Sequence, residues 1–483
     1  MKIKDINFGQ INGRNESKEP NFSEMFYDGN GHYKELESTR KFLIVGRKGT
    51  GKTTLAEYFL TSSKKNQESK MLTSTDFVSN KLKEFYYSSI TSEEEVLFWK
   101  YIYLCELGNL IISHYERLPF WHFIKKGRGR RMQSFLETNQ MMIQELVKED
   151  SETVNSNASM SISGEIGTTL SGTSLSATKT TSRRSKYFEV YDSLFDEVMK
   201  VIGSDKVKYT IFYDDMDQLE EYEDNSKFKS LIKSMIYAAE EINLKISDYN
   251  NSKICILLRN DVVSLLQKDA NNLNKTVRDL GIEIKWFNPN VQSSLIEHPL
   301  MQMVLHKIKK SYKEKDISLE EIINQYFPEE KVFSFMMERG FGRPRDIISF
   351  LNEYKKYFGN EEVILIENLK RVEPQYSEHL YSELTNEIKM TGRADRMREI
   401  FECISRRGYP SFKFSQLQKF MIEQGLDTAT LLDDLSLMVD LGILGVVLKN
   451  KRLEFTFRDN LEKSVDNQTR FTLHYGLRKY FNV

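Results

Sequence analysis

Proline, cysteine and histidine are all scarce in this chain of 483 residues, which holds 8 prolines, 3 cysteines and 7 histidines. The cysteines, Cys105, Cys255 and Cys403, stand far apart along the chain. Their isolation excludes a disulfide framework and gives no metal-ligand spacing, so no structural zinc site is expected. So few prolines, among long stretches of Lys, Glu, Leu and Ile, favour a helix-rich protein.

Long apolar runs and an excess of one charge are also missing. No run of about 18 apolar residues occurs, and the N-terminus MKIKDINFGQ lacks the apolar region of a signal peptide. The formal net charge is −1, so any basic site for nucleic acid or anionic lipid must be local. We expect a cytoplasmic protein with no membrane partner and, from its length, two or three domains.

Short apolar runs stand out against the helical background. Each is continuously apolar rather than alternating, which is typical of parallel strands covered on both faces by helices. The runs are residues 41–46, 208–215, 253–259 and 282–287. Helical patterns separate them, so the predicted fold class is α/β with a parallel sheet.

The glycine-rich stretch after the first run has the spacing of a phosphate-binding loop (P-loop). Residues 46 to 53 read GRKGTGKT, which is G-x-x-x-x-G-K-T. Glycines let backbone N–H groups turn toward a phosphate, and the next helix adds its positive N-terminal end. The alternative is a glycine-rich turn with a solvated lysine, but the motif lies between an apolar strand and a helix, where a phosphate site belongs. We predict that the nucleotide is bound by Gly46, Lys48, Gly49, Thr50, Gly51, Lys52, Thr53 and Thr54.

A second strand supplies the carboxylates that such a loop requires. The stretch YTIFYDDMDQL, residues 209–219, places Asp214 and Asp215 after apolar and aromatic positions. Asp214 and the Thr53 hydroxyl are predicted to hold Mg²⁺, and Asp215 to orient or deprotonate the attacking water. Lys52 would reach the β- and γ-phosphates, so the predicted cofactors are ATP and Mg²⁺.

Two further features carry a resemblance to a known family. The run ICILLRNDV ends in Arg259 and Asn260, and ERGFGRPRDIISFLN puts Arg343 and Arg345 at the start of a helix. With the two motifs above, this layout resembles the AAA+/STAND P-loop ATPases, in particular their origin-recognition-like and KAP-like bacterial branches. The resemblance implies that Arg259 or Asn260 is sensor 1, and that Arg345, with Arg343, is sensor 2 in a helical lid. The chain departs from the family in a long insert before Asp214 and in Asp rather than Glu at position 215.

The resemblance also implies a division of the chain. We expect a P-loop ATPase core at 1–290 with a helical and Ser/Thr-rich insertion at about 75–200, a helical lid and connector at 291–385, and a C-terminal domain resembling a winged helix at 386–483. The Ser/Thr-rich segment 151–185 is either a flexible insertion or a protruding β-ribbon. The segment before the P-loop is expected to pack over the nucleotide base, as it does in the family.

Arg278 is the candidate arginine finger, because it precedes the strand IEIKWF at a junction that faces the neighbouring subunit in AAA+ rings. This hypothesis implies a homo-oligomer, and its alternative is a surface arginine paired with Asp279 or another acid.

The basic run at 125–131 would bind a phosphate backbone or an acidic partner, or form a solvated loop. Helix 427–441 of the winged helix carries four aspartates and no Lys or Arg, so we expect it to contact protein and leave any DNA contact to the wing.

Three functions remain open from the sequence. The first is a nucleotide-driven assembly or signalling ATPase, in a bacterial antiphage system. The second is an initiator- or loader-like ATPase that grips duplex DNA through the winged helix. The third is a slow nucleotide switch that scaffolds a partner, since sites with Asp at position 215 include slow hydrolases.

Overall fold

The computed structural model describes residues 1–38, 40–62, 66–73, 92–138, 191–216, 225–267, 271–286, 295–312, 317–329, 331–389, 391–448, 452–459 and 465–483. Within them the chain forms two compact units. The sheet unit comprises His32–Arg47 and Leu55–Glu283, and the helical unit comprises Met1–Gly31, Lys48–Thr54 and Ile284–Val483. Segment 151–185 lies outside the described residues, and the domain boundaries drawn from the sequence stay predictions.

A five-stranded parallel sheet forms the centre of the sheet unit. Its strands are β1 (Leu43–Gly46), β2 (Gln67–Thr73), β3 (Lys208–Asp214), β4 (Lys253–Arg259) and β5 (Gly281–Glu283). Their order is β2-β3-β4-β1-β5, and each neighbouring pair is parallel. The α/β class and the parallel sheet are therefore confirmed.

Three of the apolar runs form strands over most of their length, whereas the run 282–287 is a strand only as far as Glu283. A fifth strand, β2, was not predicted from the sequence. β1, β3 and β4 are almost wholly buried, in keeping with their continuous apolar character. β2, with the sequence QESKMLT, is mostly half-buried because it lies at the edge of the sheet. Its polar composition hid it from a search for apolar runs.

Helices surround this sheet within the sheet unit. They span His32–Ser38, Lys52–Thr61, Ser92–Arg117, 123–138, 191–204, Asn225–Ile246, Asn260–Gln267 and Asn271–Leu280. The helix Ser92–Arg117 packs against Asn225–Ile246 and against β3. Its part Glu93–Arg117 is long and apolar enough to cross a membrane, yet 72% of its apolar window is buried inside the protein, as in the core helix of a soluble protein.

The strand order creates a topological switch point at β1. The chain leaves β1 for the far edge at β2, returns through β3 to β4 beside it, and then crosses to β5 on its other side. Ligands of open α/β sheets bind outside the carboxyl ends of the strands at such a point. The carboxyl ends of β1, β3 and β4 carry Gly46, Asp214 and Arg259.

The helical unit is built on a core that joins both ends of the chain. Ile3, Ile6 and Phe8 are buried in the same apolar cluster as the helices that follow residue 298. Those helices span Pro299–Ser311, Leu319–Tyr326, Lys331–Arg339, Pro344–Phe358 and Ile366–Lys389. The region expected to form a helical lid and connector, 291–385, consists of helices and short connections where it is described.

The last hundred residues form helices and a small antiparallel sheet. The helices span Ala394–Arg407, Phe414–Glu423, Leu431–Asp440, Thr456–Asp459 and Tyr475–Phe481. The strands are β6 (Ser411–Lys413), β7 (Leu444–Val447), β8 (Leu453–Glu454) and β9 (Arg470–Leu473), in the order β6-β9-β7-β8. The expected hairpin after residue 444 is present as β7 and β8, and the winged-helix assignment stays a proposal.

Two details of this region correct the sequence prediction. The stretch SFKFSQLQKFMIEQGL, residues 411–426, predicts the second helix of the winged helix, but the helix begins at Phe414 because residues 411–413 pair with β9. The third helix begins at Leu431 rather than Asp427. Asp427 instead accepts a hydrogen bond from the Ala429 N–H at 2.9 Å, a local turn that competes with helix formation.

Asp434 also departs from its predicted role. It is one of the four aspartates of the helix predicted at 427–441, which we expect to contact protein. Its side chain is only 1% exposed. It accepts hydrogen bonds from Arg393 at 2.7 Å, Arg396 at 3.1 Å and Thr430 at 2.8 Å. Asp434 therefore ties the helix Leu431–Asp440 to the helix Ala394–Arg407, and its carboxylate is not exposed to another protein. That the helix contacts protein elsewhere stays a prediction.

Replacing Asp434 with Ala should destabilise the C-terminal region, because charged hydrogen bonds to a buried carboxylate are lost. We expect a loss of about 2 kcal/mol, measured as a lower Tm of the C-terminal transition. Asp433→Ala on the same helix is the matched control, since Asp433 is exposed. Equal Tm values for the two variants would contradict this account of Asp434.

Candidate nucleotide site

The predicted P-loop has the backbone that a phosphate cradle requires. β1 ends at Gly46, and a helix begins at Lys52, so the loop occupies the predicted place between strand and helix. Gly49 has φ +82° and Gly51 has φ +95°, a left-handed conformation that other residues adopt only with strain. A Cβ added at Gly51 would meet no heavy atom within 4 Å, so the loop is open at this point.

Three successive carbonyls of this loop each receive a hydrogen bond from residues of the helical unit. The Arg343 guanidinium donates to the Lys48 carbonyl at 2.9 Å. The Arg345 backbone N–H donates to the Gly49 carbonyl at 3.4 Å, and the Trp286 indole N–H to the Thr50 carbonyl at 2.8 Å. The carbonyl side of the loop is thus held by three donors from two separate segments.

The direction of these carbonyls fixes the direction of the neighbouring N–H groups. No cis peptide bond occurs among the described residues, and across a trans peptide the C=O and the following N–H point opposite ways. Holding the carbonyls of residues 48 to 50 therefore turns the N–H groups of Gly49, Thr50 and Gly51 to the other side. Successive N–H groups on one side of a loop form an anion-binding nest.

Arg343 is a buried structural clamp rather than an open phosphate ligand. Its side chain is 6% exposed and pairs with Asp346 at 2.8 Å and with Glu387 at 3.6 Å. Burial alone would lower the pKa of the guanidinium, but the carboxylates of Asp346, Glu387 and Glu383 raise the pKa above its usual range. Its charge is thus balanced internally, and its contact with the loop is through the Lys48 carbonyl.

Arg345 keeps more of its hydrogen-bonding capacity. It lies against the loop, since a Cβ added at Gly49 would be 3.0 Å from the Arg345 Cβ. Its Nη1 pairs with Glu383 at 3.0 Å. Its Nε is buried and finds no hydrogen-bond partner among the described residues. Of the two predicted sensor 2 residues, Arg345 is the one with a buried donor still to satisfy.

The N-terminal segment also reaches the loop, within the helical unit. A Cβ added at Gly13 would lie 2.5 Å from the Thr54 hydroxyl oxygen, so the backbone at Gly13 closely approaches the start of the P-loop helix. Tyr27 packs its ring on Trp286 with centroids 6.5 Å apart, and Asn30 donates to the Lys285 carbonyl at 2.7 Å. The segment therefore supports Trp286, while its predicted packing over a base stays a prediction.

The predicted metal ligand Asp214 is the last residue of β3 and is 3% exposed. Asp215 follows it with φ +58°, in the left-handed region that is uncommon for residues other than glycine. The Asp215 N–H donates to the Asp214 Oδ1 at 3.0 Å. Strained backbone of this kind clusters at functional sites.

The two candidates for sensor 1 differ in their surroundings. Arg259, at the end of β4, donates from Nε to Asp261 at 3.0 Å and pairs with the same carboxylate through Nη2. Asn260 is the first residue of the next helix, and its buried side-chain oxygen has no hydrogen-bond partner among the described residues. That oxygen is an acceptor and not a phosphate donor, so it does not decide between the two residues. The sensor 1 assignment stays a prediction.

Arg278 lies in the last turn of the helix Asn271–Leu280, directly before β5, and is exposed. It forms no ion pair with another described residue, so the alternative of a pair with Asp279 is not observed. The arginine-finger assignment stays a prediction.

The basic run lies on the helix 123–138, so the expectation of a solvated loop was wrong. Lys125 pairs with Asp205 at 2.9 Å, and Arg128 donates to the Ser204 hydroxyl at 3.1 Å. Burial would raise the pKa of Asp205, but the hydrogen bond and charge of Lys125 lower it. Arg130 and Arg131 are exposed, so only part of the run is available to an anionic partner.

The donor set fits a magnesium nucleotide. The predicted metal ligands, the Asp214 carboxylate and the Thr53 hydroxyl, are oxygen donors of the kind that Mg²⁺ prefers, and their joint role stays a prediction. Within the described ranges no cluster of three or more His, Cys, Asp or Glu residues could hold a metal without a ligand's help. The buried Nε of Arg345 is a donor that an anionic ligand would satisfy.

Two residues at this site were missed by the sequence reading. The sequence predicts Trp286 only as part of the strand IEIKWF and gives no role to Glu383. Neither belongs to a motif, and a single sequence does not reveal contacts between residues so far apart in the chain.

Comparison with known proteins gives one family match and two structural likenesses. The model of the FunZ-associated C-terminal helical domain matches residues 298–385, which is less than half of the chain. These residues span the helices from Pro299 to most of Ile366–Lys389, close to the predicted lid. A search of curated proteins finds no match.

The chain is similar to an Orc1 protein of Aeropyrum pernix solved in complex with DNA, with 10% identity, a TM-score of 0.38, and coverage of 96% of this chain and 94% of that one. It is also similar to Drosophila ORC bound to DNA, with 10% identity, a TM-score of 0.29, and coverage of 94% and 85%. Both TM-scores are below 0.5, so neither likeness bears on what this chain binds.

Proposed function

We propose that this chain is a P-loop ATPase of the AAA+/STAND type that binds and hydrolyses ATP with Mg²⁺. The observation that carries the proposal is the loop at residues 48–51, whose carbonyls are held on one side so that its N–H groups face the other. A phosphate-binding loop needs that arrangement, with Gly49 and Gly51 in the left-handed conformation, whereas a glycine-rich turn without a ligand does not need it.

The proposal gives each residue one task. Lys52 and the N–H groups of the loop hold the phosphates, while Thr53 and Asp214 hold the metal. A bound Mg²⁺ supplies positive charge that neutralises the phosphate oxygens. Asp215 orients the attacking water or takes its proton. Arg259 or Asn260 contacts the terminal phosphate as sensor 1, and Arg345 contacts it as sensor 2.

At the level of process, we propose that the ATPase is a nucleotide-driven assembly or signalling module, in bacterial antiphage defence. The alternatives are an initiator-like ATPase that binds DNA through its C-terminal domain and a slow switch that scaffolds a partner. The burial of Asp434 removes one carboxylate from the surface of the third helix but leaves Asp433 and Asp440 exposed, which still disfavours this helix in a DNA groove. ATP turnover and particle size, measured with and without duplex DNA, separate the three. Nucleotide-dependent oligomers without DNA support the first, and DNA-stimulated turnover supports the second.

Lys52→Ala should abolish or greatly weaken ATP binding, because the phosphates lose their lysine. Asp215→Asn should keep ATP binding but stop turnover, since Asp214 still holds the metal while activation of the water is lost. Equilibrium binding and phosphate release measure the two effects on the same preparations. ATP hydrolysis by Asp215→Asn at the wild-type rate would show that Asp215 has another role.

Glu383→Gln should strengthen binding of ATP relative to ADP by a few fold, because Glu383 competes with the terminal phosphate for Arg345. The change in the ratio of ATP to ADP affinity should not exceed the strength of one charged hydrogen bond, about 1.5 kcal/mol. Glu378→Gln is the matched control, since it removes the same charge from an exposed position on the same helix. An unchanged ratio of ATP to ADP affinity in Glu383→Gln would exclude this competition.

Arg278→Ala should be inactive in hydrolysis but able to bind ATP, because an arginine finger acts on the site of a neighbouring subunit. Such a finger is worth about 10³-fold or more in rate. Mixing inactive Lys52→Ala and Arg278→Ala proteins should then restore part of the activity. Oligomers that form but show no rescue at any mixing ratio would remove the finger assignment.

A further inference from the structure

We propose that Trp286 is a positioning residue that holds the P-loop in its phosphate-binding form. The proposal rests on the function proposed above, because it concerns the same loop. Its central contact is the hydrogen bond from the Trp286 indole N–H to the Thr50 carbonyl, 2.8 Å long. The Trp286 side chain contacts the backbone of the loop and needs no contact with the nucleotide itself.

The Thr50 carbonyl is the position at which such a bond matters most. Across the trans peptide, this carbonyl sets the direction of the Gly51 N–H. Gly51 has φ +95°, and a Cβ added there would meet no heavy atom within 4 Å, so no packing in that direction holds the peptide. Without the indole donor, the Thr50 carbonyl loses the hydrogen bond that directs it away from the side of the Gly51 N–H.

Residues of the N-terminal segment hold the indole in position. Tyr27 packs on its ring and in turn packs on His306, with centroids 5.6 Å apart. Asn30 holds the preceding residue through the Lys285 carbonyl at 2.7 Å. The donor therefore reaches the loop from a supported position, which reduces the entropy that the hydrogen bond must overcome.

Trp286 and Arg343 donate hydrogen bonds to different carbonyls of the loop. Arg343 holds the Lys48 carbonyl and is balanced by its own carboxylates, so its substitution would leave a buried charge unpaired and disturb the fold. Trp286 can lose its donor with little other change, since Phe keeps an aromatic ring against Tyr27. It is therefore the residue through which the positioning role can be tested.

The role predicts a specific pattern of binding. A loop that is less well held has lower affinity for every ligand that places a phosphate in it, so ADP and ATP must weaken alike. This differs from the Arg345 and Glu383 pair, which affects the terminal phosphate alone. Once the nucleotide is bound, the loop is held by the phosphates, so the maximal rate should change little.

The experiment compares Trp286→Phe with the wild type and with Trp121→Phe, a control at an exposed tryptophan. Loss of one hydrogen bond should weaken both ADP and ATP binding by about threefold to tenfold and raise KM by the same factor, with kcat within about twofold. A merely structural role for Trp286 would lower the Tm and the active fraction, and hence kcat, with KM unchanged. Unchanged affinity in Trp286→Phe, with wild-type binding intact, would overturn the positioning role.

A measurement without nucleotide tests the bond itself. The indole N–H signal of Trp286, identified by its loss in Trp286→Phe, should exchange with solvent much more slowly than that of the exposed Trp121. Equal exchange rates would show that the bond is absent. If the wild type binds neither ADP nor ATP, the proposed function fails and the role of Trp286 fails with it, whereas wild-type binding with no effect of Trp286→Phe removes this role alone.

Discussion

The arrangement of the phosphate loop depends on hydrogen bonds to three of its carbonyls. A P-loop must turn several N–H groups to one side, and it does so against the preference of a short loop for many conformations. Here the donors of Arg343, Arg345 and Trp286 take the carbonyls of residues 48 to 50. Each bond is worth only about 1 kcal/mol, but the three act on adjacent peptides and so fix one geometry.

This constraint explains why the helical unit includes residues 48–54 and both ends of the chain. Arg343 is the N-cap of the helix Pro344–Phe358, and Arg345 lies in its first turn. The buried face of this helix packs in the same core as Ile3, Ile6 and Phe8. The N-terminal segment then supports Trp286 through Tyr27 and Asn30. Any change in this unit that moves Arg343 or Trp286 would alter the hydrogen bonds that hold the loop.

The sequence was sufficient for the features that depend on local pattern. The apolar runs identified β1, β3, β4 and β5 because buried parallel strands are continuously apolar. The glycine spacing identified the loop, because left-handed backbone at positions 49 and 51 requires that residue. The sequence could not reveal β2, which is polar because it lies at an edge, or the burial of Asp434, which depends on Arg393 and Arg396. Trp286 and Glu383 were missed because their roles come from contacts across the fold rather than from any motif.

The central claim is that the loop at residues 46–53 holds the phosphates of a nucleotide with its N–H groups, while its carbonyls stay bonded to Arg343, Arg345 and Trp286. A structure of the chain with Mg²⁺ and a non-hydrolysable ATP analogue tests this most directly. The account predicts the β-phosphate against the N–H groups of Gly49 to Gly51, with the bond from Trp286 to Thr50 retained. A nucleotide bound elsewhere, or a loop whose carbonyls have turned toward the phosphates, would contradict it.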